Sequence, residues 1–281
     1  MIPTAPYDGA VRLEAAVEER TRRAIAAGVL APIETVAEVI AQDGVRFIVR
    51  RVSSLARKHA GPPTPLVPWD ERLFVAEVPP AHAMILNKFP VIARHALVVT
   101  RRFVSQEALL DGEDFAALAA CLADWDALAF YNGGREAGAS QPHKHLQLVP
   151  RGLGEAGDPP IAPLLARAEG GTVPGLRFAH AFARCETGAS PGARLAIYRR
   201  LLAAIGVREL SGGLQSAPYN LLATREWMLV VPRAREKFEG ISVNALGFAG
   251  SLFVRDETEA ARVREAGPMN VLAAVAGFPA R

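Results

Sequence analysis

Apolar and polar positions alternate along the chain with two periods, and these divide it into helices and strands. Arg12 to Ala27 sets Leu13, Val17 and Ile25 among charges at helical spacing, with Gly28 as its stop. Ala31 to Ala41 is expected to form a second short helix. Val45 to Val52 alternates and is rich in β-branched residues, which predicts a strand. Lys58 to Pro65, with prolines at 62, 63 and 65, predicts a loop. Strands are expected over Leu73 to Val78, Ala83 to Lys88 and His95 to Thr100. From Gly112 to Phe130, Phe115, Leu118, Ala119, Leu122, Trp125 and Leu128 fall at helical spacing behind Asp111 as a cap. Asn132-Gly133-Gly134 and Gly138-Ala139-Ser140 then form a loop of small residues ahead of a strand that Pro150 ends. On that strand His143, His145 and Gln147 project to one side, while Leu146 and Leu148 point into a core.

The second half echoes the first loosely. Leu176 to Ala183 predicts a strand, and Ala193 to Ile205 a helix stopped by Gly206. Tyr219 to Thr224 and Trp227 to Val231 predict a strand pair. Asn87 followed by His95-Ala-Leu-Val-Val-Thr-Arg101 is matched by Asn220 followed by Trp227-Met-Leu-Val-Val-Pro-Arg233, which suggests a degenerate duplication. The fold expected is α+β, a mixed antiparallel sheet with helices in two related, unequal halves. The halves are residues 1–152 and 153–281, joined through Glu155–Pro160 and Gly170–Gly175 as one integrated unit.

Composition narrows the function. No apolar run among the 281 residues approaches the ~20 needed to cross a bilayer, and Met1 to Arg23 has no apolar signal core. Cys121 and Cys185 are far apart, so neither a disulfide framework nor a zinc site is indicated, and the cytoplasm is the expected compartment. The net charge of +3 is scattered among acidic residues, which argues against nucleic acid and suits a small anionic substrate. The sequence sets no oligomeric state.

His143, His145 and Gln147 admit three readings. They could be structural residues of a half-buried strand. A metal site would need a third strong ligand, and glutamine is a poor one. A nucleophilic histidine needs one ring nitrogen free to attack phosphorus and the other held by a backbone carbonyl, which fixes the tautomer. Gln147 in phase, and the glycine loop before it, favour the third.

The run Asn132-Gly133-Gly134, then Gly138-Ala139-Ser140-Gln141-Pro142-His143-Lys144-His145-Leu146-Gln147, resembles the active-site segment of the diadenosine tetraphosphate phosphorylases. These are also called ATP adenylyltransferases and belong to the histidine-triad superfamily. Asn87-Lys88-Phe89, Tyr219-Asn220-Leu-Leu and Val243-Asn244-Ala-Leu-Gly-Phe-Ala-Gly250 agree, so the likeness covers most of 45–258. It implies a histidine-triad-like fold akin to that of the galactose-1-phosphate uridylyltransferases. It implies phosphorolysis of diadenosine tetraphosphate by phosphate to ATP and ADP, with no tightly bound cofactor and Mg²⁺ accompanying the polyphosphate. The alternatives are phosphorolysis of adenylyl sulfate, a uridylyl transfer, or a non-catalytic sensor of dinucleoside polyphosphates.

By this resemblance His145 attacks phosphorus, His143 shapes the site, and Gln147 stands where the hydrolases carry a third histidine. An amide can donate to a phosphate oxygen but cannot shuttle protons, which implies transfer to phosphate rather than rapid hydrolysis. Lys58, Asn87, Lys88, Asn132, Gly138, Ala139, Ser140, Gln141, Asn244, Ser251 and Arg255 are the implied substrate contacts, Ser251 and Arg255 replacing a Met and a Lys. No metal ligand is assigned. His59, His82 and His180 are expected on loops or the surface, His95 in a structural role, Trp125 and Trp227 in the core, and Arg101-Arg102 at a solvated strand end.

Overall fold

The computed structural model describes residues 12–52 and 66–277. The Lys58–Pro65 loop, with Lys58 and His59, lies outside the described residues. Helix α1 (Leu13–Ala26) buries Leu13, Val17 and Ala24 along one stripe. Strands β1 (Thr35–Gln42) and β2 (Val45–Val52) follow as an antiparallel hairpin. The helix expected over 31–41 is therefore replaced by β1. Asp43 and Gly44 both adopt positive φ, 51° and 82°, which is the backbone of a tight hairpin turn. Pairing with β2 outweighs the weak helical spacing before that turn.

Next come β3 (Phe74–Val78), β4 (His82–Leu86) and β5 (Ala96–Thr100). Helix α2 (Gly112–Asp124) begins with a reciprocal capping box between Asp111 and Asp114. It ends well before Phe130, because β6 (Ala127–Gly133) takes over. Ala129 and Tyr131 of β6 pack in one core while Leu128 and Phe130 pack in the other. A strand apolar on both faces has no period of two to betray it. Asn132 and Gly133, expected in a loop, are its last residues.

Strand β7 (His145–Pro150) is followed by α3 (Ala162–Leu165), β8 (Ala181–Arg184) and α4 (Pro191–Ala204). The strand expected from Leu176 is confined to its end, and His180 just before it clamps the preceding loop. Its Nδ1–H donates to the Phe178 carbonyl at 2.7 Å and its Nε2 accepts the Val173 N–H at 2.7 Å. The remaining elements are β9 (Tyr219–Ala223), β10 (Trp227–Pro232), β11 (Lys237–Phe238), β12 (Ile241–Ser242), α5 (Ala245–Ala249), β13 (Ser251–Val254), α6 (Glu257–Ala266) and α7 (Pro268–Val275).

Eight strands form one antiparallel sheet in the order β3-β4-β5-β7-β6-β9-β10-β8. One face packs on α1, α2 and α4, and the other on a second sheet, β1-β2-β13, together with α3 and α5 to α7. The architecture is α+β. Leu146 and Leu148 of β7 enter the first core and Val149 the second, so His145 and Gln147 face the second layer. The hairpins β4–β5 and β9–β10 are alike, but register separates the two asparagines of the sequence echo. The Asn87 N–H bonds the His95 carbonyl, whereas the Trp227 carbonyl is met by the Thr224 N–H. Asn220 lies inside β9, opposite Val231.

Candidate active site

The site is built on the middle of the large sheet. Register sets Val99 opposite His145, Leu97 and Phe130 opposite Gln147, and Asn132 opposite Asn220. Continued by two residues, the β6–β7 pairing brings Asn132 beside His145. His143 precedes the strand and bridges to Ser105, while the loop at 104–106 bonds back to residues 142–145. Gln106 ties these pieces together: its Nε2 donates to the Asn132 carbonyl at 2.9 Å and its Oε1 accepts the His145 N–H at 2.8 Å.

His145 is 4% exposed. Its Nδ1 lies 2.7 Å from the His143 carbonyl, which can only accept, so the proton is on Nδ1 and the lone pair on Nε2. Burial lowers its pKa to about 4, with the carbonyl bond to His143 opposing, so the ring is neutral at pH 7. A neutral imidazole with a fixed tautomer and a free Nε2 is a nucleophile that needs no deprotonation step. His143 in turn donates from Nε2 to the Thr100 carbonyl at 2.8 Å, with Thr100 Oγ1 at 2.9 Å. Phe103, 69% exposed, lies edge-on to that ring with centroids 5.4 Å apart.

Lys144 points the other way. It is 2% exposed, paired with Asp114 and bonded to the Leu109 carbonyl at 2.9 Å. Asp114 also meets His82 Nε2 at 2.9 Å. Burial works to raise the Asp114 pKa, but His82 and Lys144 together hold its carboxyl below the ordinary range. His82 is thus a core residue anchoring α2, not a surface histidine.

The loop after β6 turns through Gly138 at φ 91°. A Cβ there would sit 2.9 Å from the Asn244 Cα and Cβ, so only glycine allows the approach. Asn244 Oδ1 accepts the Leu246 N–H at 3.0 Å and caps α5. A cleft of about 530 Å³ opens beside the loop, lined by Gly138 to Pro142, Arg135, Gln106 and Lys237 among others. A second hollow of about 330 Å³ continues past Gly138 and Asn244 to Arg255. His143 and His145 are buried and line neither hollow.

The expected contacts therefore separate. Asn132, Gly138, Ala139, Ser140, Gln141 and Asn244 gather around the cleft and the histidines. Asn87 meets His95 below Gln147, and Lys88 is exposed over the Phe89 ring at 5.5 Å. Ser251 is buried at the start of β13, opposite Ile48 of β2. Arg255 lines the second hollow but its guanidinium is bound to Glu259, with Nε to Oε1 at 2.6 Å. His95, assigned a structural role, is bonded directly to Gln147 at 2.9 Å. Gln106 carries no sequence signal, while Thr100, Asn220 and Arg233 stand in the echoed segments without being assigned to the site.

A buried, neutral histidine beside side-chain amides and a glycine-bordered cleft has the chemistry that nucleophilic attack on phosphorus requires. Two family models match in order: the Ap4A phosphorylase N-terminal domain over residues 7–167 and the ATP adenylyltransferase C-terminal domain over residues 174–279. The first alone spans more than half of the chain, and the protein belongs to the Ap4A phosphorylase family. Diadenosine 5′,5‴-P1,P4-tetraphosphate phosphorylase 2 of Saccharomyces cerevisiae is 27% identical over 220 residues, 66% of this chain and 65% of the relative, just under two thirds of its length. Protein APA1 of the same yeast is 25% identical over 71% of this chain and 70% of its own. The crystal structure of yeast Ap4A phosphorylase Apa2 in complex with AMP superposes with a TM-score of 0.78, at 25% identity over 95% of this chain and 97% of that one.

Proposed function

We propose that this protein catalyses the reversible phosphorolysis of diadenosine tetraphosphate, with phosphate, to ATP and ADP through an adenylyl group carried on His145. The observation that carries the reading is the Nδ1–H of His145 on the His143 carbonyl, which leaves a neutral Nε2 lone pair at the sheet's centre. Family membership supports the substrate. Nε2 attacks the α-phosphorus, the P–N bond forms, and the bond to the departing polyphosphate oxygen breaks with its electron pair. ATP leaves as an anion, so no general acid is required. The positive charge on the ring is shared with the His143 carbonyl through Nδ1–H. Phosphate then attacks phosphorus, the P–N bond breaks, and ADP departs from neutral His145.

Gln147 contributes a donor and no proton shuttle, which favours phosphate over water as acceptor. The loop at 138–141 is read as a phosphate cradle, with Asn244, Lys88 and Lys58 as further nucleotide contacts. Mg²⁺ is assigned to the polyphosphate rather than to a protein site. The histidine-triad likeness, the division into halves at 152/153 and a reducing, cytoplasmic setting belong to the same proposal. Two free, buried thiols, Cys121 and Cys185, support the last. The test is acceptor dependence. ADP, and ATP beyond the one equivalent per chain released on adenylylation, should form only when phosphate is added, and sustained AMP release at a similar rate without it would contradict the reading.

A further inference from the structure

Two side-chain amides flank His145, Gln147 on its own strand and Asn132 on the next, and each can present either its oxygen or its nitrogen to a ligand. Obligate donors and acceptors behind them decide which. The Phe89 N–H donates to Asn87 Oδ1 at 3.2 Å, so the Asn87 nitrogen faces His95 Nδ1 at 3.1 Å and makes that ring atom the acceptor. Burial lowers the His95 pKa to about 4, so at pH 7 the ring has one proton, on Nε2. That proton is donated to Gln147 Oε1 at 2.9 Å. On the other side the Ala245 N–H donates to Asn132 Oδ1 at 3.0 Å, and Asn220 Nδ2 donates to the same oxygen at 2.8 Å. Asn220 is itself oriented, since its Oδ1 accepts from Arg233 Nη1 at 2.6 Å while its nitrogen also reaches the Ala137 carbonyl at 2.9 Å. Both relays end with the amide oxygen tied down and the N–H₂ left over.

We propose that His95 and Asn220 are positioning residues that hold the Gln147 and Asn132 amides nitrogen-outward, as paired donors flanking His145 for the non-bridging oxygens of the phosphate it attacks. This rests on the reading of His145 as the nucleophile. Its reach is specific: the two amides stabilise charge that grows on those oxygens, so the relays act on the transfer step rather than on nucleotide affinity.

The first arm of the test needs no activity. Nitrogen-15 spectra of the histidine rings in the full chain at pH 7 should show His95 as the Nε2–H tautomer. The Nδ1–H tautomer would turn the Gln147 amide around and overturn the proposal. The second arm is single-turnover adenylylation with diadenosine tetraphosphate. His95→Leu should slow it roughly 10- to 100-fold, the scale of a lost hydrogen bond to a charged group, with nucleotide affinity little changed. His95→Gln, which keeps an N–H donor, should recover much of that rate. In a Gln147→Ala background His95→Leu should cost no more than about twofold, because its effect runs through the missing amide. Asn220→Ala should behave the same way against Asn132→Ala. Losses that simply multiply would overturn the relays. A wild-type chain that shows the Nε2–H tautomer but takes no label would overturn the transfer reading instead.

Discussion

Strand β7 and the residue that leads into it, Lys144, have two sides that treat protons in opposite ways. On the front, His145, Gln147 and their neighbours Asn132 and His95 are neutral groups held by hydrogen bonds, and among the described residues the cation Arg233 reaches the row through Asn220. On the rear, Lys144 is a buried ammonium held against Asp114, which also takes His82. The residues alternate one by one, so the pleat alone separates them. A nucleophile needs a lone pair, and burial without a counter-charge keeps it unprotonated. An anchor needs the reverse, a charge too costly to leave unpaired. The difference predicts that the rear governs stability and the front chemistry.

The largest single-residue effect on folding is expected at the rear. Lys144→Met leaves Asp114 buried without its ammonium and should cost about 3–5 kcal/mol in urea unfolding. A loss under about 1 kcal/mol would mean that the ion pair is not an anchor. Whatever fraction stays folded should still take the adenylyl label, since the front bonds do not involve the ammonium.

Acid should separate the faces next. His145 and His95 have folded pKa values of about 4 against an ordinary 6.5, so the unfolded chain binds more protons between those limits. Their contribution to stability is complete above pH 6.5 and is lost as pH falls through that window. The slope approaches about 1.4 kcal/mol per pH unit for each histidine. Asp114, with its pKa lowered from 3.8, contributes fully above that value and is lost only at lower pH. Stability that stayed flat from pH 7 to pH 5 would contradict the neutral front.

A smaller change sharpens the role of the front amide. Gln147→His restores a group able to carry protons, and should raise AMP release relative to ADP by about tenfold at most, the scale of one altered hydrogen bond. An unchanged product ratio would remove Gln147 from the choice of acceptor.

Much of this was legible in the sequence, and the exceptions have physical causes. Alternation over His143 to Pro150 put the right residues on each face, and the requirement that a carbonyl hold the second nitrogen of the nucleophile anticipated the His143 carbonyl on Nδ1. Strand β1 was legible too, in the Asp43-Gly44 hairpin turn, but an apolar count over 31–41 obscured it. Strand β6 was not, because its burial on both faces imitates the inside of a helix. His82 and His95 give no sign of their partners in the sequence: the packing of α2 on the sheet brings one to Asp114, and the pairing of β5 with β7 brings the other to Gln147.

The central claim is the covalent intermediate on His145, and trapping it is the most direct test. The full chain, mixed with diadenosine tetraphosphate labelled in its adenylyl group and with phosphate omitted, should accumulate one label per chain. A phosphoramidate bond is cleaved in acid and survives base, so the label should do the same. His145→Ala should remain folded yet take no label and lose turnover by several orders of magnitude, roughly the cost of removing a nucleophile. His143→Ala should label slowly, since the backbone carbonyl that orients His145 is still there. A folded His145→Ala chain that kept near wild-type turnover, or a label that survived acid, would contradict the account.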